Sequence, residues 1–359
     1  MDTPALSPAG LRQYLELQAA AISSVTERFF LTHGAIYTRF GQRGRDACRE
    51  DLTFHLEFLR PVLEFGITRP MVTYLRWLAM VLAARDLPVQ HLAQSLDWLA
   101  EFFGANMQGT DAASVVAALQ HVKTRYLGAE VAATVSCGTI PEPWPEWTEF
   151  ETALLAGDRR NAGLILERRL DQGHSLVEFE LHIVQPALYS IGHRWQNNQV
   201  SVAQEHLATA ISQAVMTNGL LMSSVPASNG RRVVLACVSG NQHSVGLQMV
   251  ADSFDLAGWD VQYLGASVPT KALIQHVCQA RPDLLGLSIS FAQQLTVVRD
   301  IMAQLTLSLG DARPAVIIGG LAINQYHELA VLLGADAWGA DAHSAIDYAS
   351  KLPARAASL

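Results

Sequence analysis

As far as Ser224 the apolar residues of this chain recur three and four positions apart, and from Val233 onward they gather into short unbroken runs set off by polar turns. The first spacing lays one apolar stripe along a helix, and the second suits strands buried on both faces of a parallel sheet. Helices are predicted over Leu11 to Thr32, Arg45 to Arg60, Met71 to Ala84, Pro88 to Phe103 and Ala112 to Leu127. The stretch from Phe150 to Ser224 reads as helical throughout. There Leu181, Val184, Leu188 and Ile191 share a face, Pro186 predicts a kink, and Asn197-Asn198 predicts a break. Ser201 then opens a helix with Leu207, Ala210, Ile211 and Val215 on its apolar side. Strands are expected at Val233–Val238, Leu284–Leu287 and Ala315–Ile318, with a helix over Leu247 to Ala257 after the first. A late strand and turn fall within Gly334–Asp341, before one last helix. Helices first and alternating strands and helices afterwards predict an α and α/β chain.

The boundaries follow from breaks in this pattern. Between Cys137 and Trp147, Pro141, Pro143 and Pro145 alternate with Glu142, Trp144 and Glu146, which predicts a semi-rigid extended spacer. A softer boundary lies at Ser223 to Gly230. The expected domains are therefore 1–135, all-helical; 136–148, linker; 149–226, helical bundle; and 227–359, parallel sheet.

Composition narrows the function. At 50% hydrophobic and 16% charged, the 359 residues can bury two or three cores. No apolar run approaches the ~20 residues of a membrane span, and the start lacks the basic-then-apolar plan of a signal peptide, so a cytoplasmic location is expected and no membrane partner. Cys48, Cys137, Cys237 and Cys278 are scattered and fit neither a disulfide framework nor a zinc site. The net charge of -8 and the start Met1-Asp2-Thr3-Pro4 supply no phosphate-neutralising surface, which argues against direct DNA binding.

Asn241-Gln242-His243-Ser244-Val245-Gly246 follows the first strand and puts an imidazole at its carboxyl end, where an open α/β sheet offers ligands a crevice. Ser288-Ile289-Ser290 closes the second apolar run, and Gly319-Gly320 closes the third, at the same edge. This series resembles the signature of cobalamin-binding Rossmann-like (flavodoxin-like) domains, Asp-x-His-x-x-Gly, Ser-x-Leu and Gly-Gly, over residues 228 to 352. The resemblance implies His243 as lower axial ligand of cobalt in place of the cofactor's own benzimidazole. It implies Asn241, Gln242, Ser244, Val245, Gly246, Ser288, Ser290, Gly319 and Gly320 around the corrin and its displaced tail. Asn241 stands where the family has an acid, and Ser290 where it has Leu. An amide carbonyl can still accept the imidazole N–H that orients a ligating histidine, without the charge that strengthens it.

Trp195 is followed, after nine residues, by Glu205-His206, in the bundle that precedes this domain. Read alone, these suit a core aromatic at a helix end and a solvated first turn. The arrangement resembles the cap of adenosylcobalamin-dependent photoreceptors. It implies Trp195 as a steric lid over the upper axial group, Glu205 as acceptor for the adenosyl moiety and His206 as its polar neighbour. Those photoreceptors carry a histidine directly after the tryptophan; Gln196 stands there, so water or a five-coordinate cobalt is expected after photolysis, with His193 or His206 as the alternative ligand.

In the N-terminal region, Tyr37-Thr38-Arg39-Phe40-Gly41-Gln42-Arg43-Gly44-Arg45 reads as a loop opening a helix that bears Cys48, Asp51, His55 and Phe58. Arginine forks beside an acid and a histidine suit a flat apolar ligand with carboxylate arms. A docking domain with solvated arginines accounts for the same residues. The order of an arginine-rich helical domain, then the cap, then the cobalamin domain resembles the photocobilins, which bind biliverdin as well as cobalamin. That resemblance implies Arg39, Arg43 and Arg45 toward propionates, Asp51 and His55 toward pyrrole nitrogens, and Tyr37, Phe58, Tyr74 and Trp77 as walls. Cys48 could form a thioether, although one thiol on a helix more often packs than attaches.

The expectation is a photoreceptor and not an enzyme, with a light-dependent homo-oligomer as its output. Two rivals remain open: a corrinoid methyl carrier serving methyltransferases, and a light-independent cobalamin sensor. A cobalamin mutase would need a barrel domain that this chain has no length for.

Overall fold

The computed structural model describes residues 5–128 and 141–353, and the chain divides into two compact units whose boundary falls between the two described stretches. The first unit is five helices: α1 (Pro8–Tyr37), α2 (Gly41–Phe65), α3 (Arg69–Ala83), α4 (Gln90–Asn106) and α5 (Gly109–Leu127). Ser7 caps α1, accepting from the amide of Gly10, and Asp111 of α5 accepts in turn from the Ser7 amide and hydroxyl, so the first and last helices are tied at one end. The core is continuous from Tyr14 through Leu59 and Leu75 to Phe103 and Val122, all buried. The segment Tyr37–Arg45 is not a loop. Tyr37 ends α1, Thr38–Phe40 is a single 3-10 turn and α2 already begins at Gly41. Gly41, at φ 54°, supplies the whole change of direction, a backbone state that costs a side chain but not glycine, and the residues either side remain helical.

The second unit opens with a bundle: α6 (Trp147–Ala156), α7 (Arg159–Asp171), the short α8 (Leu176–Phe179), a π-helical stretch (Glu180–Val184) running into α9 (Gln185–Gln196), and α10 (Val202–Met222). Pro186 lies in the first turn of α9, directly after the π stretch, where its missing N–H is tolerated. Ser201 caps α10 in a reciprocal box with Gln204. Residues 137–140 of the predicted spacer lie outside the described residues. The part that is described does not behave as a spacer: Trp144 stacks on His182 (4.7 Å, 3°), Arg169 lies 4.5 Å over the indole, and the Trp144 amide donates to the His182 carbonyl. The prolines remove backbone donors, but the indole between them has an aromatic and cationic slot to fill, so the segment is fastened to the bundle and turns directly into α6.

Then follow β1 (Arg232–Val238), α11 (Val245–Leu256), β2 (Asp260–Val268), α12 (Thr270–Ala280), β3 (Leu284–Ser288), α13 (Leu295–Leu309), β4 (Ala315–Gly319), α14 (Leu321–Gln325), α15 (Leu329–Leu332), β5 (Ala337–Gly339) and α16 (Ala342–Ser350). All five strands are parallel, in the order β2-β1-β3-β4-β5. This is the flavodoxin-like doubly wound arrangement, in which the order of strand addition reverses between β1 and β3. Val233–Val238 are fully buried, as helices on both faces require. The bundle is not a separate body from this sheet domain: Met249 of α11 belongs to the bundle's apolar core, with Val245 and Leu256 packed against it.

Candidate functional site

The switch point gathers the loops after β1, β3 and β4, which carry His243, Ser288-Ile289-Ser290 and Gly319-Gly320. Asn241 organises them. It is fully buried, its side-chain carbonyl accepts from the His243 amide (3.1 Å), and its side-chain N–H donates to the Ser288 carbonyl (2.9 Å). The oxygen assigned by sequence to the imidazole therefore braces the loop backbone instead, because it lies two residues from the amide it bonds, the geometry of an Asx turn. Cys237 at the end of β1 closes the loop from below, its thiol 3.6 Å from the His243 carbonyl. Tyr263 of β2 donates to the Ser244 carbonyl (3.1 Å).

The glycines after β4 are demanded by backbone proximity. A Cβ on Gly320, which sits at φ 96°, would lie 2.5 Å from the Ile289 carbonyl oxygen, and one on Gly319 would lie 2.8 Å from the Gly339 oxygen. Only glycine allows the three loops to converge this closely. Ser290 donates its amide to Gln294 (2.8 Å), which fixes the turn into α13, and Ser288 is buried beside Cys237, whose thiol burial pushes up to about 11.

His243 projects from this platform. It is solvent-accessible, with Phe291 edge-on at 5.1 Å. Desolvation in the cleft lowers its pKa below the usual histidine value, and Glu205 of α10 works in the opposite direction. Two consequences follow. The imidazole is neutral at neutral pH, the only form with a lone pair for a metal. And Glu205, from the bundle, stands within electrostatic reach of His243, so the start of α10 lies near the loop after β1. Among the described residues no group of three or more His, Cys, Asp or Glu side chains could hold a metal ion. One neutral nitrogen donor suits a metal that arrives with its equatorial positions already filled by a macrocycle, and does not suit a bare ion.

The upper wall is α9 and α10. Trp195 packs on the bundle core near the end of α9. Glu205 is in the first turn of α10, where its oxygens accept from His206 Nδ1 (2.5 Å) and the Thr209 hydroxyl (3.1 Å), with His206 exposed. Sequence reasoning missed the residues that join wall to platform. Gln213 of α10 lies 3.4 Å from both the Ser244 hydroxyl and the Gln248 side chain, and Gln248 reaches back to Thr217 (3.3 Å). Nothing local marks a glutamine for such a contact. Phe291 had a signal, adjacency to Ser290. Val245 and Gly246 form the first turn of α11, and Gln242 is exposed beside His243.

In the first unit the predicted residues separate into groups. Asp51, His55, Phe58, Tyr74 and Trp77 come together: His55, 1% exposed, hydrogen-bonds the Tyr74 hydroxyl through Nδ1 (2.9 Å), Phe58 and Tyr74 stack at 4.0 Å, and Trp77 is 6.3 Å from Tyr74. Burial lowers His55 to about 4 and raises Asp51 to about 6. Burial and Asp51 push the Cys48 thiol up to about 12, which leaves it unreactive. The arginines do not converge. Arg39 covers Phe40 (4.7 Å), Arg45 covers Phe30 (4.6 Å), and Arg43 is exposed. Tyr37 bonds His91 Nδ1 (2.8 Å), which stacks on His33 at 3.9 Å, a pair that the sequence reading did not single out.

The fold and the site together define a class, a cobalamin-binding module made of a helical cap and a parallel-sheet domain. Residues 231–347 match the family described as B12 binding domain, and residues 147–218 match a second family of the same description. The chain is similar to the HTH-type transcriptional repressor CarH of Myxococcus xanthus, 30% identical over 185 residues, 52% of this chain and 60% of that one. It is similar to CarA of the same organism, also an HTH-type transcriptional repressor, at 31% over 172 residues, 47% and 57% of the two chains. Dimethylamine corrinoid protein 3 of Methanosarcina acetivorans is 28% identical over 142 residues, 38% of this chain and 66% of that one. The match thus spans about 60% of the length of the first two relatives.

Proposed function

We propose that this chain is a light sensor that binds adenosylcobalamin with His243 below cobalt and the adenosyl group under Trp195. The observation that carries the reading is the placement of Glu205, on the cap, opposite the single exposed imidazole at the β1/β3 switch point. When bound, adenosylcobalamin supplies a cobalt–carbon bond that visible light breaks. His243 holds the cofactor base-off by occupying the position of its benzimidazole. Glu205 and His206 are the groups that read the upper face: they bind an adenosyl partner when it is present and otherwise satisfy each other. Trp195 excludes water from that face. Gln196, next to it, would offer a bound corrinoid no imidazole.

The signal leaves through the cap and alters self-association of the chain. Biliverdin in the first unit is part of the same proposal, supported by a buried, stacked aromatic pair (Phe58, Tyr74) beside a carboxyl that burial raises to about 6 (Asp51). The test is absorption spectroscopy of the full chain, expressed with and without haem oxygenase and reconstituted in darkness with adenosylcobalamin. A bound corrin spectrum that changes irreversibly on illumination supports the sensor, and a further long-wavelength band with haem oxygenase supports the bilin. A chain that stays colourless, or whose spectrum light leaves unchanged, overturns it.

A second reading, a methyl carrier, is favoured by the similarity to a dimethylamine corrinoid protein. It would leave Trp195, Glu205 and His206 without a role. It predicts no preference for an adenosyl over a methyl upper group.

A further inference from the structure

The π-helical stretch of the cap carries a feature that the cobalamin reading does not use. Glu180, its first residue, is 0% exposed, and neither carboxyl oxygen meets a hydrogen-bond donor. What it faces is another carboxyl, Asp252 of α11, 4% exposed, one oxygen of which also lacks a donor. Two ionised carboxylates cannot occupy such a place: each would be a charge stripped of water beside a like charge, with acceptors only. A single proton resolves both problems at once. It neutralises one group and turns an acceptor–acceptor clash into a short, charge-assisted O–H to O⁻ hydrogen bond.

We propose that Glu180 and Asp252 share one proton across the seam between the cap and the sheet domain, and that this acid pair is a pH-sensitive latch holding the cap on α11. Glu180 is the protonated partner, since it is the more deeply buried and the bond to Asp252 favours its acid form; burial holds its pKa well above the ordinary carboxylate range. The other titratable groups that interact with the pair are Asp255, one turn along α11, and the Tyr263 phenol of β2. Asp255 adds to the negative charge and Tyr263 brings no cation. The π turn gives the pair its position: one extra residue per turn rotates Glu180 inward while His182, two residues on, points outward to Trp144. Because α11 starts two residues after His243 and carries Asp252 about two turns further on, the latch and the candidate ligand are joined by one short helix.

The sign follows from linkage. A carboxyl whose folded-state pKa is raised contributes stability that is complete below the unfolded value and is lost as pH rises through the folded one. The latch therefore weakens on the alkaline side. The experiment is thermal unfolding of the full cobalamin-free chain between about pH 5 and about pH 9, a range chosen to bracket the raised value, for wild type, Glu180→Gln and Asp252→Asn. Infrared spectra of the wild type accompany it. A glutamine or asparagine amide donates permanently to the remaining carboxyl group. The expected result is a wild-type midpoint that falls with rising pH by about 3–8 °C relative to either variant, with the variants' profiles nearly parallel to each other. The wild type should also show the carbonyl stretch of a buried carboxylic acid at neutral pH, absent from Glu180→Gln. A wild type with no such band and with a profile parallel to the variants overturns the latch. Should both variants fail to fold, persistence of the wild-type band at about pH 8, where Asp51 with its value of about 6 is ionised, supports the latch, and its loss there overturns it. Cobalamin is absent throughout, so the outcome is independent of the light-sensing reading.

Discussion

Residue identities at the switch point make separate demands that can be tested one at a time. His243 is accessible and makes no side-chain bond on which the loop depends, since Asn241 holds the loop through backbone groups. His243→Ala should therefore leave the unfolding free energy within about 0.5 kcal/mol of wild type, the ordinary range for surface substitutions. It should weaken adenosylcobalamin binding or return the benzimidazole to cobalt, visible as a changed dark spectrum. An unaltered spectrum would remove the ligand assignment. Gly320→Ala is the opposite case. It brings a Cβ to 2.5 Å from the Ile289 oxygen at φ 96°, so it should destabilise the second unit by about 2–4 kcal/mol, read by chemical denaturation, with His243 untouched. In the first unit His55 sets an acid sensitivity. Its folded-state pKa, lowered to about 4, means that the unfolded chain binds the proton more readily, so stability is lost as pH falls below the ordinary histidine value. The full effect is about 3 kcal/mol at the acid limit. Asp51, raised to about 6, acts the other way, losing stability as pH rises through that value. The difference between wild type and His55→Leu isolates the first term: the gap should narrow on acidification, after a constant cost for leaving the Tyr74 hydroxyl unpaired.

Elements explain both what periodicity could reveal and where it stopped. Ser201 was legible as a helix start because a capping box is local, and its loss is calculable: Ser201→Ala should cost about 1 kcal/mol and lower the second unit's midpoint by about 2–4 °C, checked by calorimetry. The same variant frays the turn that carries Glu205 and His206. The buried strands β1, β3 and β4 were legible for a similar reason, since a run such as Val233–Val238 has only one comfortable place. β2 was not read: Gln262, Gly265 and Ser267 interrupt it, as an edge strand with only partly buried residues permits. Glycines and arginines predict a loop between α1 and α2, but one positive φ at Gly41 makes the turn, and Arg, Gln and Ala around it are good helix formers. The π stretch left no trace in the spacing, because Leu181 and Val184 satisfy an α or a π count over so short a run. Contacts between distant residues were illegible on principle: Asn241 to Ser288, Gln213 to Ser244 and Glu180 to Asp252 each join positions that only the fold brings together. The proline-rich segment shows the same limit, for the slot that receives Trp144 is made of Arg169 and His182.

At the scale of the whole chain the question is whether the loss of one upper group on cobalt can change assembly. Driving a two-state equilibrium from 1:99 to 99:1 takes about 5.5 kcal/mol of differential affinity. A charged acceptor such as Glu205, with His206 beside it, gives hydrogen bonds of about 1.5–3 kcal/mol each, and burying an indole contact at Trp195 adds about 1–2 kcal/mol. At the middle of these ranges two such hydrogen bonds give about 4.5 kcal/mol and the indole about 1.5 kcal/mol, so the three residues together reach the required size. Their combined action is therefore the prediction. With adenosylcobalamin bound, the full chain should shift its size-exclusion elution volume on green illumination, and Glu205→Gln or Trp195→Ala should shrink the shift while leaving the dark corrin spectrum in place. With a net charge of -8 the chain should not retard duplex DNA in either state, so a change in elution cannot be attributed to bound nucleic acid. Identical traces in darkness and light, with a spectrum that nonetheless bleaches, would separate photochemistry from signalling and place the output in a partner that reads the cap without altering self-association.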